Sequence, residues 1–336
     1  MHRDDRPDAP GTRTPWSLIP PAAGAAVMAT GIVSVGLHLL GVDVLSAVFL
    51  VLDVALWVLL GLVFCGRLLR DRSRWEHDAD TPAALTAVAA TSVLGTRLTL
   101  EGWLTAGEVL LGAAVLLWPV LFVFVVRHWG PRMPGGVFIT CVATQSIAVL
   151  GATLSAAAHV AWLGYAALVF FFGGLVVYAA AFVRFDLRQV LTGAGDHWVV
   201  GGALAISALA AARLVLAGRA GGLWNDENTD VLRFLAGLLL ALDLTWYVVL
   251  CVAELVRPRL AYDVRRWSTV FPMGMTAVAT LTVGVAVETG WLHGPGRVLV
   301  WIAVAAWLVT AAGALRSVGS ARAAGATGAL RSTGRR

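Results

Sequence analysis

Ten runs of about 20 apolar residues follow one another along the chain, parted mostly by short links. They cover residues 17–41, 43–69, 83–101, 105–127, 134–156, 160–184, 197–218, 231–256, 268–290 and 294–315. A helix needs about 20 apolar residues to cross the hydrocarbon core of a bilayer. Only helices and closed barrels satisfy all their backbone groups there. Continuous apolar runs of this length are helices, so the fold class is all-α integral membrane with ten transmembrane helices. Charge agrees: 13% of the 336 residues are charged, against about 25% in a soluble domain.

The runs come in pairs joined by very short links, such as "GVD" at 41–43 and "HGP" at 293–295, which gives five helical hairpins. All 25 basic residues are arginine. Twenty of them lie in the two tails and in the links between hairpins; the links within hairpins hold three, Arg219, Arg233 and Arg297. Arginine gathers on the cytoplasmic side of membrane proteins. The expected topology is therefore a multi-pass protein of the cell membrane with both termini cytoplasmic and residues 219–230 outside. Residues 1–15 read as a polar tail with no cleavable leader, 16–316 as the membrane domain, and 317–336 as a basic, disordered tail. Trp16, Trp103, Trp129, Trp162, Trp198, Trp267 and Trp291 sit near span ends, as interfacial anchors do.

The odd-numbered runs repeat a pattern that the even ones lack. "VMATGIVSVGLHLLG" (27–41), "VAATSVLGTRLTLEG" (88–102), "CVATQSIAVLGATLS" (141–155) and "AVATLTVGVAVETG" (277–290) share Ala-Thr. The threonines are Thr30, Thr91, Thr144 and Thr280, and Ser207 takes that place in the seventh run. Prolines recur upstream, at Pro20 and Pro21, Pro82, Pro134 and Pro272. Repeats point to a symmetric assembly. Small residues let helices approach closely. The expectation is a quasi-five-fold arrangement, with an inner ring of odd helices around a central pore and an outer ring of even ones. In that arrangement the five hydroxyls line the pore; the other reading has them bond their own helices and serve packing alone.

"MATGIVS" (28–34) and "WSTVFPMGM" (267–275), supported by "ATQS" (143–146), resemble the tellurite-resistance/C4-dicarboxylate transporter family. That family includes bacterial tellurite-resistance channels, fungal malate and sulfite transporters and plant slow-type anion channels. The resemblance covers essentially residues 16–316. It implies ten helices in five hairpins around a pore, a homotrimer, and permeation by small anions such as malate, tellurite, sulfite, nitrate or chloride. It also implies a gating phenylalanine in the ninth helix, which here is Phe271. Pro272 then fixes where the ring points and Gly274 leaves it room. The competing reading is a phenylalanine packed between helices.

Ionisable groups at membrane depth are functional candidates by default. They are Asp53, Arg97, Arg213 and Asp243. Each arginine follows its aligned Thr91 or Ser207 by six residues, so both would face the pore at one depth and hold an anion, bidentately where it is a carboxylate. The alternatives are snorkelling to the interface or pairing with the aspartates. Asp53 and Asp243 either neutralise the arginines or carry a proton, as in a proton-coupled dicarboxylate or sulfite exporter. An enzyme is disfavoured. The histidines are scattered, and no HExxH, GxGxxG or Walker pattern occurs. Cys65, Cys141 and Cys251 show no metal or disulfide spacing. No metal, cofactor or nucleic-acid partner is expected; the partners are small anions and the bilayer.

Overall fold

The structure is a computed structural model that describes residues 23–70, 81–259 and 262–333. The expected tail at 1–15, Trp16, Pro20 and Pro21 lie outside the described residues. Ten long helices are present among them: α1 Gly24–Leu39, α2 Asp43–Arg70, α3 Thr86–Leu100, α4 Leu104–Arg127, α5 Ile139–Ala158, α6 Ala161–Arg184, α7 Val199–Gly221, α8 Asp226–Val256, α9 Trp267–Ala286 and α10 His293–Thr333. Among the described residues nine helical segments are long and apolar enough to cross a membrane, and α1 is a shorter apolar helix of 16 residues. α10 continues to Thr333, through residues that the sequence assigns to a disordered tail. No strand occurs among the described residues; Met133 and Phe185 form one isolated bridge.

The helices pair as five hairpins. Each hairpin link contains a residue with a left-handed backbone: Gly41, Gly102, His159, Gly222 and Glu288, with φ between 56° and 90°. Such a residue ends a helix and reverses the chain. All five links lie at one end of the molecule, called here the link end; the other is the tail end. α3, α5, α7 and α9 each begin with a short 3-10 turn at the tail end.

The odd helices form a closed ring. α1 packs on α3, α3 on α5, α5 on α7, α7 on α9, and α9 returns to α1. Each even helix lies outside, against its hairpin partner and the following odd helix, with α10 closing onto α1. The central parts of α3, α5, α7 and α9 are 78–100% buried, whereas those of the even helices are 17–28% buried. Leu, Val and Phe side chains of the even helices point outward, as lipid-facing positions require. Small residues permit the inner contacts. A Cβ on Gly202 would stand 2.8 Å from the Pro272 ring, and one on Gly274 would stand 2.7 Å from Ile32. Gly274 therefore makes room for α1, where the sequence suggested room for Phe271.

At the tail end, Glu254 pairs with Arg259 (2.6 Å) and Arg266 (2.8 Å), tying the end of α8 to the start of α9. Trp198 and Trp267 are buried and make ring contacts with Tyr247 and Trp307 respectively. They are core residues rather than the interfacial anchors expected. Trp103, Trp162 and Trp291 are exposed near the link end.

Candidate functional site: an axial lumen with one free guanidinium

The five inner helices enclose a small axial cavity of about 10 Å³, room for about one water. Each helix contributes a pair of residues three apart: Ile32 and Val35 from α1, Val93 and Thr96 from α3, Ser146 and Val149 from α5, Ile206 and Leu209 from α7, Met275 and Val278 from α9. The walls are almost wholly apolar. Thr96 Oγ1 donates to the Ser92 carbonyl (2.8 Å) and Ser146 Oγ to that of Ala143 (2.7 Å). Both hydroxyl protons are thus held by the helices, and an anion needs donors.

Arg213 completes the lining. It lies seven residues past Ile206, two turns towards the link end on the same face of α7. The side chain is nine-tenths buried. Its Nε has no partner, and among the described residues no hydrogen bond or ion pair engages the guanidinium. The same group borders a second cavity of about 160 Å³ at the link end, with Leu39, Leu216, Leu281, Thr282, Val285 and His293. Leu39 and Thr282 are also seven residues past Ile32 and Met275. This cavity therefore lies above the lumen on the side of α1, α7 and α9, with α10 at its edge; α3 and α5 do not line it.

Arg97 does not share this position. Its Nε donates to Ser34 Oγ (3.2 Å), its Nη2 to Ser46 Oγ (3.0 Å), and its Nη1 to Glu101. The two serines also exchange hydrogen bonds with each other's carbonyls at 2.8 Å. Arg97 is a buried tie between α1, α2 and α3. The expected equivalence of the two arginines fails because Ser207 is out of register, as Thr280 is too. Thr30, Thr91 and Thr144 fall two residues before Ile32, Val93 and Ser146. Ser207 falls one residue after Ile206, and Thr280 five after Met275.

The expected pore-lining hydroxyls face elsewhere too. Thr30, Thr91, Thr144, Ser207 and Thr280 each donate to the carbonyl four residues back, at 2.7–2.9 Å. Three of them accept a tryptophan from the outer ring: Trp307 Nε1 on Thr30 (3.0 Å), Trp57 on Thr91 (2.9 Å) and Trp118 on Thr144 (3.0 Å). Each tryptophan comes from the even helix preceding the threonine in the ring. The even helices therefore carry a repeat that the sequence reading missed. Buried Asp53, Ala114, Gly174, Asp243 and Ala303 each stand four residues before an aromatic: Trp57, Trp118, Tyr178, Tyr247 and Trp307. The signal was a small or acidic residue at i and a large ring at i+4.

Asp53 and Asp243 sit behind the inner ring and, among the described residues, pair with no arginine, against the static-pairing reading. Both oxygens of Asp53 lack partners, and the side chain faces Gly31. Thr276 donates to one oxygen of Asp243 at 3.2 Å, and the other is unpartnered. Phe271 is 1% exposed and stands four residues before Met275, hence one turn towards the tail end on the lumen face of α9. Pro272 lies inside α9, against Gly202. Among the described residues no group of His, Cys, Asp and Glu side chains is placed to hold a metal ion.

Comparison with known proteins gives one family: the description SLAC1, voltage-dependent anion channel, matches residues 19–315. No curated protein matches the chain.

Proposed function

The chain belongs to the voltage-dependent anion channel family and is a multi-pass membrane protein of anion transport; from that premise we propose that small monovalent anions pass along the axis of the inner ring, drawn by Arg213 and gated by Phe271. The observation that carries this reading is the unpartnered, buried guanidinium at the link-end mouth of an apolar lumen. A free cation in a low-dielectric channel attracts anions strongly. A dicarboxylate fits less well, because Arg97 is turned away and, among the described residues, no second arginine lines the lumen.

Phe271 supports the gate. The level one turn below the lumen reads Met28, Ala89, Val142, Gly202 and Phe271, all buried. Ala89 and Gly202 are too small to reach across the axis; of the three larger residues Phe271 carries the one rigid ring, which is the group the gate reading sets in the path. A ring in a narrow apolar passage blocks ions sterically and by excluding water. The arginine asymmetry supports a cytoplasmic tail end in the plasma membrane. All the lining helices come from one chain, so a homotrimer, which the family resemblance implies, would hold three separate paths.

Phe271→Ala tests the gate. Liposome flux of nitrate or chloride, normalised to folded protein, should rise at least tenfold above wild type, with Phe271→Leu in between. A packing role predicts instead lower thermal stability without added flux. A second reading, proton-coupled export, rests on the unpartnered carboxylate of Asp53. It requires that a pH gradient drive uptake and that Asp53→Asn abolish the effect.

A further inference from the structure

We propose that the link-end cavity above the sealed lumen binds a monovalent organic anion with an apolar body, such as an aromatic sulfonate, and that this ligand plugs the anion path from that side. The proposal rests on the axial-path reading of the lumen. The cavity, about 160 Å³, is walled by Leu39, Leu216, Leu281 and Val285, with Arg213 at its floor and His293 at its exposed rim. It is about sixteen times the volume of the lumen beneath. The lumen beneath has room for about one water, so a molecule that fills the upper space cannot follow small ions down.

The chemistry of the walls selects the ligand. Among the other arginines near this end, Arg97 pairs with Glu101, Arg219 with Glu288, and Arg233 with Asp230 and Glu288, while Arg297 is exposed to the surroundings and lines neither cavity. Arg213 has no such partner. Its planar fork suits a carboxylate or sulfonate. Thr282 lies beside it but donates its proton to the Val278 carbonyl (2.8 Å), so it gives an anion no second donor; the His293 imidazole at the rim does. One cation ringed by leucines and a valine fits a ligand with one charged head and an apolar body. An inorganic ion would leave the walls unused, and a neutral ring would leave the guanidinium unpaired.

The test uses purified full-length protein and benzenesulfonate, which stays charged and does not cross the bilayer as a neutral acid. Thermal shift at fixed ionic strength compares it with methanesulfonate, which lacks the ring, and benzyl alcohol, which lacks the charge. Benzenesulfonate should half-saturate at a concentration at least tenfold below methanesulfonate, and benzyl alcohol should give no saturable shift. Arg213→Gln removes the charge, and Val285→Trp fills the cavity from its exposed wall while leaving Arg213 in place. Each should raise the half-saturating concentration at least tenfold. In proteoliposomes, benzenesulfonate should inhibit chloride flux from the link side and not from the tail side. Unchanged binding in either variant, or block from the tail side only, overturns the proposal. Absence of chloride flux in wild type overturns the axial-path reading instead, and the thermal shifts still decide the site.

Discussion

α2 and α3 are neighbours in the chain and opposites in the fold. α2 is rich in Leu, Val and Phe, and turns most of its length outward: Val44, Val48, Val51, Leu62 and Leu69 are exposed. α3 has the sequence TAVAATSVLGTRLTL and is buried along nearly all of it. The same contrast holds in the second, third and fifth hairpins, where the outer helix is the more apolar, whereas α7 and α8 are equally apolar and differ in burial alone. In water the order would be reversed, since burial of apolar surface drives folding. In a bilayer the lipid tails are as apolar as leucine, so inner helices are selected for close packing and hydrogen bonding. The difference explains why Ala, Gly, Ser and Thr mark the inside of this molecule.

The contrast breaks first at glycine. Gly202 of α7 has the Pro272 ring within 2.8 Å of where a Cβ would sit, whereas Gly61 of α2 has nothing within 4 Å. Gly202→Val forces a branched side chain against a ring that cannot rotate away, and overpacking of this kind costs ~1–3 kcal/mol on soluble-core numbers. A large loss of folded yield and melting temperature is expected in fluorescence-detected size-exclusion. Gly61→Val should leave both near wild type. Equal losses would mean that α2 is packed against protein.

The two arginines sharpen it next. Arg213→Gln should lower anion flux per folded protein about tenfold, since it removes the free cation of the lumen, and should leave melting temperature little changed. Arg97→Gln should do the reverse. It removes charge-assisted hydrogen bonds to Ser34 and Ser46, each worth ~1.5–3 kcal/mol in soluble proteins, and with them the solvent-screened tie to Glu101. Flux per folded protein should stay within about twofold of wild type. If both variants lose flux alike, Arg97 also faces the path.

Much of this was legible in the sequence. The spans, the hairpins and the inner-outer division follow from run length and from small-residue enrichment on odd runs. Which face of an inner helix meets the lumen did not follow. Ala-Thr recurs because the threonine hydroxyl closes on its own helix and receives an indole N–H from the neighbouring outer helix. The repeat therefore marks the back of the ring, and a motif shared by several helices recorded a packing contact. Alignment on terminal glycines set α7 out of register by three residues, which made Arg97 and Arg213 look equivalent. The free state of Arg213 depends on residues from three helices and has no local signature.

A smaller effect belongs to that contact. Thr91→Val keeps shape but leaves Trp57 Nε1 without its acceptor, and a net hydrogen bond is worth about 0.5–1.5 kcal/mol. Thr280 accepts no indole among the described residues, so Thr280→Val should cost less. Melting temperatures of both variants, with Trp57→Phe added to close the cycle, measure the difference.

The smallest effect lies at the edge of the two rings, where Arg97 meets Glu101. The Arg97 hydrogen bond holds the Glu101 carboxyl below its ordinary value of 4.5, against a weaker opposing effect of burial. A depressed acid stabilises the fold at pH values above the unfolded value and loses that contribution as pH falls through the folded one. The carboxylate is 44% exposed, so water screens the pair and its contribution is slight. Wild type should therefore melt slightly above Glu101→Gln at pH 7, by a margin that stays constant down to about pH 5. Below 4.5 the margin should shrink, because the wild-type side chain takes up its proton and becomes as neutral as the amide. Parallel melting curves at steps between pH 7 and pH 4 read this directly. A margin that grows on acidification would mean that Arg97 is held by the serines alone, and that Glu101 serves the water-facing rim.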